Sequence, residues 1–351
     1  MNRREHIKKS AALAGGLCAW PARAASAAPD ETNAAGTDDR QVMTVTGPVA
    51  PEALGTTLPH EHVASRFGVP PEQRPTYDVA ALFETVVPAL ERIQKLGCDT
   101  VACATAAYFG RDALILKQLA QRTGVQIITN TGYYGAADDR YVPEHAYDER
   151  AEELAARWLE EWRDGVNKTG IRPGFIKTAV DDPEGDAPLS EIDRKLVRAA
   201  ALTHRESGLP IAVHTGGNVA GARDELAILE EEGVAPEAWI WVHAQNVDDP
   251  SVLVDAAERG AWIELDNIEP DTVERHIQLV RRMKRRDLLG RVLLSHDGNT
   301  FPIEKWSPRP YDTLFTDFIP ALREAGFSDA EVRRLVAENP QRAFTLRVQE
   351  R

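Results

Sequence analysis

The chain has 351 residues, 43% of them apolar and 27% charged, with a formal net charge of −14. Residues 1–28 hold five cations (Arg3, Arg4, Lys8, Lys9 and Arg23) against one anion, Glu5, which leaves −18 on the remainder. A surface that acidic repels phosphate backbones and so excludes nucleic acid as a partner, while placing no restriction on a small neutral substrate.

In chain order, the first segment is a basic run, Asn2 to Lys9, followed by the weakly apolar Ala11–Trp20 and a small-residue stretch ending near Ala28. The apolar part is too short to span a bilayer, and paired arginines ahead of it mark residues 1–27 as a twin-arginine-like export signal cleaved near Ala27. A disordered basic tail is the alternative. The export reading predicts a periplasmic or secreted protein with no membrane attachment after cleavage. Residues 28–41 are polar and alanine-rich, as in a flexible linker.

From there to residue 351 a single domain is expected. Short apolar runs alternate with amphipathic stretches. The runs are Gly55–His60, Thr100–Ala104, Gln126–Thr131, Gly174–Thr178, Pro210–His214, Trp239–His243, Ala261–Leu265 and Val292–Ser295, rich in Val, Ile and Thr as buried parallel strands are. Between them, Leu114, Leu116, Leu119 and Ala120 mark one helix face. Leu154, Trp158, Trp162 and Val166 mark another. Leu226, Ile228 and Leu229 precede a solvent-facing acidic end, Glu230–Glu232. Leu314, Phe318, Ile319 and Leu322 form a late helix, and Ser328 caps the last one. Eight strands alternating with helices predict a (β/α)₈ TIM barrel. A doubly wound open sheet is the alternative, but no Gly-x-Gly-x-x-Gly follows the first strand. Cys98 and Cys103 are read as buried inert thiols, since three cysteines make no disulfide framework.

The strands end in unusual residues: His60-Glu61-His62, Lys177, His214, His243 and Asp297. In a barrel these ends converge on one face, where chemistry is built. His60 and His62 lie two apart, so both imidazoles point the same way in extended chain, which suits chelation, while Glu61 points away. Lys177, after Phe175-Ile176, is a costly buried cation unless its ammonium reaches solvent. Burial depresses its pKa, and a neutral amine captures carbon dioxide to give a carbamate able to bridge two metal ions.

Together these residues resemble the phosphotriesterase family of the amidohydrolase superfamily, which includes organophosphate triesterases and phosphotriesterase-like lactonases. The likeness runs from Val45-Thr46-Gly47 to Glu338-Asn339-Pro340. It includes Leu-Pro-His-Glu-His at 58–62, Phe-Gly-Arg-Asp at 109–112, Asn-Thr-Gly-Tyr-Tyr at 130–134 and Thr-Gly-Ile-Arg-Pro-Gly-Phe-Ile-Lys at 169–177. The resemblance implies a metal-dependent hydrolase acting on ester bonds. His60, His62 and Asp297 would hold a buried ion, and His214 and His243 a more exposed one. N6-carboxylated Lys177 and a hydroxide would bridge them, with the hydroxide attacking the substrate and Asp297 taking its proton. The implied metal is zinc, with cobalt or manganese as alternatives, and the implied assembly is a homodimer.

The chain departs from the triesterase pattern at Asn246 and Asn267, where an acid and a histidine are expected. Asparagine does not shuttle protons, so an outward relay from Asp297 is in doubt. His296 is read as packing. Tyr134 matches a tyrosine that lactonases place over the metals, where triesterases carry tryptophan. It is therefore a substrate-binding candidate, and a lactone or carboxylic ester is the expected substrate. An organophosphate triester is the second reading, and a non-catalytic, metal-loaded ligand-binding barrel the third.

Overall fold

The computed structural model describes residues 40–67, 77–181, 187–302 and 308–347. The export signal, linker residues 28–39 and Trp306 lie outside the described residues. Gln41, assigned to the linker, is tied into the fold: its carbonyl accepts from Leu346 N at 2.9 Å. A small antiparallel hairpin, Val42–Thr44 with Gly47–Val49, follows.

The barrel strands are β1 Thr57–Ser65, β2 Thr100–Cys103, β3 (Gln126–Ile128 and Asn130–Thr131), β4 Phe175–Ala179, β5 Ile211–His214, β6 Trp239–Val242, β7 Trp262–Leu265 and β8 (Val292–Leu294 and Gly298–Pro302). All pair in parallel. β3 and β8 are each interrupted, and their two pieces join the four- and six-stranded runs into one ring. This is the expected (β/α)₈ barrel, with most strand bounds within a residue of expectation.

Two strands differ. β1 does not stop at its histidines but runs on to Ser65, buried throughout, because polar partners wait on both faces of the sheet. β8 resumes after Asp297 and pairs with β1, Gly298 opposite Glu61 and Asn299 opposite His62.

The helices follow their apolar stripes. Asp112 caps α1, Ala113–Thr123, accepting from Leu114 N and Ile115 N. That start turns Ile115, Leu116 and Leu119 inward and leaves Leu114 51% exposed, so Leu114 does not belong to the buried face. The helix carrying Leu154 and Trp158 spans Ala151–Asp164 and stops at Gly165. Val166 therefore lies beyond it in a short 3₁₀ turn, though still buried. The acidic run Glu230–Glu232 pairs with Arg259, Arg198 and Arg205 on neighbouring segments. Ser328 forms the expected cap, in a reciprocal box with Glu331. Cys98 and Cys103 are free, buried thiols.

Period-2 alternation fills the barrel in layers. Ala102, Ile128, Phe175, Ala212, Ile240, Trp262 and Leu293 make an apolar inner cluster, closed by Val42 and Phe344. Two residues further along the same strands come Asn130, Lys177, His214 and Glu264. On these four strands the interior thus changes from apolar to polar within one residue layer, while Ala104 and Val242 stay apolar at the same level.

One backbone contact sets the position of β4. Gly132 has φ +110°, and a Cβ there would meet the Lys177 carbonyl oxygen at 2.2 Å. Left-handed strain alone costs about 1–3 kcal/mol. Gly132→Ala is therefore expected to lower the melting temperature by several degrees, because relief requires β4 to move. An unchanged melting curve would contradict this close approach.

Candidate metal centre

The six strand-end residues and Tyr134 meet in one cavity. His60, His62, Tyr134, Lys177, His214, His243 and Asp297 line a space of about 150 Å³ at the C-terminal ends of the strands, walled further by Phe67, Phe109, Asn299 and Arg309. The imidazole rings are close neighbours: centroids lie 5.5 Å apart for His60 and His62, 5.2 Å for His60 and His243, and 4.2 Å for His214 and His243.

Three of the four rings are oriented by a partner on the far side. His60 Nδ1 lies 2.6 Å from Glu264 Oε1. His243 Nδ1 lies 2.6 Å from Asp266 Oδ1, and His243 N also donates to Asp266 Oδ2. His62 Nδ1 lies 2.9 Å from Thr105 Oγ1, whose own proton goes to Ala64 O, so the imidazole is the donor. With Nδ1 engaged, Nε2 of His60, His62 and His243 is left for the cavity. This is how metal-binding histidines are held by outer partners. His62 Nε2 and His60 Nε2 lie 3.1 and 3.5 Å from Asp297 Oδ1. Opposite, His243 Nε2 and His214 Nδ1 face each other at 2.8 Å, and two such nitrogens are satisfied only by a shared proton or a cation.

His60, His62 and Asp297 bring ligand atoms close enough to hold one ion. A second close triad, His60, His243 and Asp266, is different. There the ring Nδ1 atoms already address carboxylates, which makes Asp266 an orienting group rather than a ligand. Burial holds the pKa of His60 and His214 well below the usual value, keeping both imidazoles neutral as ligation requires. Burial acts on His243 the same way, but the Asp266 charge and hydrogen bond outweigh it and raise its pKa. Asp297 sits well below the ordinary carboxylate range: burial opposes this, but the His62 hydrogen bond and the surrounding imidazoles prevail.

Lys177 is 1% exposed, so its ammonium does not reach solvent. Its hydrogen bond is to Thr178 O at 3.3 Å, and its nitrogen lies 5.5 Å from the Tyr134 ring centroid. Burial pushes its pKa down to about 8, with Glu264, Asp297 and Asp266 acting in the opposite direction. The Tyr134 hydroxyl lies 3.2 Å from His214 Nδ1, and burial raises its pKa, so it stays protonated. Borderline imidazole nitrogens, one carboxylate and a buried amine form a donor set suited to divalent cations.

Glu61 and His296 turn away from the cavity, as expected. Glu61 accepts from Ser295 Oγ, His296 N and Gly298 N, and His296 Nδ1 lies 2.7 Å from the same carboxylate. Glu61 thereby bolts β1 to the bend that carries Asp297. Asn246 is exposed, while Asn267 donates to Asp266 Oδ1 and accepts from Arg309.

Sequence reasoning passed over Glu264, Asp266, Thr105 and Arg309. The first two carried a signal: carboxylates two apart, Glu264 inside the otherwise apolar β7 and Asp266 just past its end, share an inward face just as His60 and His62 do. Thr105 and Arg309 carried none.

A sequence model of the phosphotriesterase family matches residues 40–344, nearly all of the described chain. The chain belongs to the phosphotriesterase family. Members of that family are hydrolases that work with two metal ions, in keeping with the histidine and aspartate groups gathered here. The phosphotriesterase homology protein of Escherichia coli is 31% identical over 71% of this chain and 84% of its own length. The N-acetyltaurine hydrolase of Rattus norvegicus is 26% identical over 88% and 98%. Among solved structures, a triple-substituted variant of the organophosphorus hydrolase of Deinococcus radiodurans superposes with a TM-score of 0.78 at 26% identity, covering 86% of this chain and 97% of that one.

Proposed function

We propose that this chain hydrolyses a lactone or carboxylic ester at a two-metal centre, with Tyr134 binding the substrate. His60, His62 and Asp297 would hold one ion and His214 and His243 the other, with Lys177, as its carbamate, available to both. Zinc is the favoured metal, with cobalt or manganese as substitutes. A bound metal pair supplies a nucleophilic water near neutral pH and polarises the substrate oxygen.

The chain's own residues do the rest. Glu264, Asp266 and Thr105 keep three imidazoles in one orientation. Tyr134, kept protonated by burial, donates toward the oxygen on which charge develops. Asp297 would take up on its carboxylate the proton lost by the water that adds to the substrate. Phe67 and Phe109 exclude water from one side.

The observation that carries the acyl reading is the Tyr134 hydroxyl, 3.2 Å from His214 in a cavity of about 150 Å³. A flat acyl group or lactone ring fits beneath that donor more readily than a phosphorus bearing three substituents. A relative named for hydrolysing N-acetyltaurine, an acyl substrate, supports the same choice. A second reading, organophosphate triester hydrolysis, is favoured by the likeness to the organophosphorus hydrolase structure.

Protein loaded with zinc, cobalt or manganese, assayed on a lactone panel beside an aryl phosphotriester, separates the two. We expect the best lactone to exceed the phosphotriester in kcat/KM by about 100-fold, roughly 2.7 kcal/mol of transition-state discrimination. The reverse order would establish the second reading. Full metal occupancy without turnover of either would leave a non-catalytic, ligand-binding barrel.

A further inference from the structure

The two oxygens of Asp297 do different work. Oδ1 faces His62 and His60 at 3.1 and 3.5 Å, whereas Oδ2 accepts from Arg309 Nη2 at 3.0 Å. The same guanidinium nitrogen also donates to the Asp297 main-chain carbonyl. The other terminal nitrogen, Nη1, donates to Asn267 Oδ1 at 3.0 Å. Asn267 Nδ2 in turn donates, at 3.0 Å, to Asp266 Oδ1, the oxygen that orients His243. A continuous polar arc, Asp297–Arg309–Asn267–Asp266–His243, therefore joins one end of the centre to the other.

Three features show that the arc is built to hold a shape. Asp297 and Asn267 both have left-handed backbone, φ 51° and 56°, which persists only where surroundings over-determine it. Arg309 is fixed by its own backbone, its N donating to Asn299 O at 2.8 Å and its O accepting from Asn299 N at 3.1 Å. The contact needs a planar fork, since one guanidinium serves acceptors on two separate loops, which a single ammonium does not reproduce.

We propose that Arg309 is a positioning residue that locks the Asp297 carboxylate so that one oxygen alone addresses the metal-binding histidines, and that Asn267 couples this lock to His243. In this chain an asparagine and an arginine thus stand where an outward proton relay was in doubt, and their role is geometric. The inference rests on the metal-centre reading above.

The test uses the metal-loaded protein and three variants: Arg309→Met, which keeps the apolar stem without the fork, Arg309→Lys, and Asn267→Ala. For Arg309→Met we expect kcat to fall about 100-fold, the scale of a 1 Å misplacement, with KM within about threefold and metal content unchanged. Arg309→Lys should recover less than about tenfold of that loss, and Asn267→Ala should lose about tenfold. Two readouts do not depend on turnover: a crystal structure of Arg309→Met should show the Asp297 carboxylate rotated, and the visible spectrum of the cobalt-loaded variant should shift. A raised KM at unchanged kcat would make Arg309 a substrate contact and overturn the proposal. So would an Asp297 left in place, with an unaltered cobalt spectrum, in the Arg309→Met variant. If the parent protein cleaves no ester, the proposed activity fails while the structural and spectral readouts still decide the role of Arg309.

Discussion

Lys177→Ala is expected to abolish measurable hydrolysis, at least about a 1,000-fold loss in kcat/KM or roughly 4 kcal/mol, and to release one or more metal ions per chain. The reasoning starts from burial. A side chain 1% exposed holds its charge out of bulk water, with Glu264, Asp297, Asp266 and Glu225 as the nearby acids and Thr178 O as its hydrogen-bond acceptor. With the pKa pushed down to about 8, the amine is about half neutral at pH 8, against about 0.3% for an ordinary lysine. Only the neutral amine combines with carbon dioxide, and the product is an anion that complements two cations. Reconstitution of metal-stripped protein should accordingly speed up with added bicarbonate and as pH rises through about 8. Lys177→Met tests packing separately: it fills the space but carries no charge, and it should be as inactive as alanine while melting near the parent temperature. Near-normal turnover or full metal occupancy in either variant, by elemental analysis beside kinetics, would refute the bridging role.

Asp297→Asn should reduce kcat by about 1,000-fold, within the range of a lost general base, while leaving the barrel folded. The substitution keeps shape and one carbonyl oxygen but removes the charge that faces His60 and His62 and accepts from Arg309. An amide nitrogen would then oppose either the arginine donors or the metal-binding side, so the variant loses ligand strength as well as the proton acceptor. Weaker binding of one ion is expected alongside the kinetic loss. A variant that binds both ions tightly and turns over normally would show that the proton leaves by another path. Circular dichroism and melting curves establish that the comparison concerns the site and not the fold.

Much of this was legible before any coordinates. Runs such as Ile-Ala-Val-His and Ile-Trp-Val-His announce a buried strand and its polar end together. Strand order in a right-handed parallel barrel then forces those ends onto one face. His60 and His62 were readable as a pair because period-2 geometry is local. Lys177 was readable because a lysine in an apolar strand violates the burial rule and so asks for an explanation. What the sequence does not carry is the non-local partner. Polar residues look like a strand end at the β1 histidines, yet Glu61 is satisfied by Ser295, His296 and Gly298, more than 230 residues away, and the strand continues. Leucine spacing alone places Leu114 on the buried face, but the Asp112 cap sets the helical phase and turns it outward.

Residue chemistry and spacing thus pointed to the barrel and to an inward set of polar strand-end residues, and the family resemblance carried by those residues pointed to a hydrolase. Folding alone decided which nitrogen of each imidazole faces the cavity, that Asp297 divides its oxygens between histidines and an arginine, and that Tyr134 stands over His214. The division has a physical cause. Alternation and burial preference act over a few residues and leave a mark in the order of amino acids, whereas a hydrogen bond such as His60 to Glu264 joins groups 204 positions apart and exists only once the ring of strands has closed.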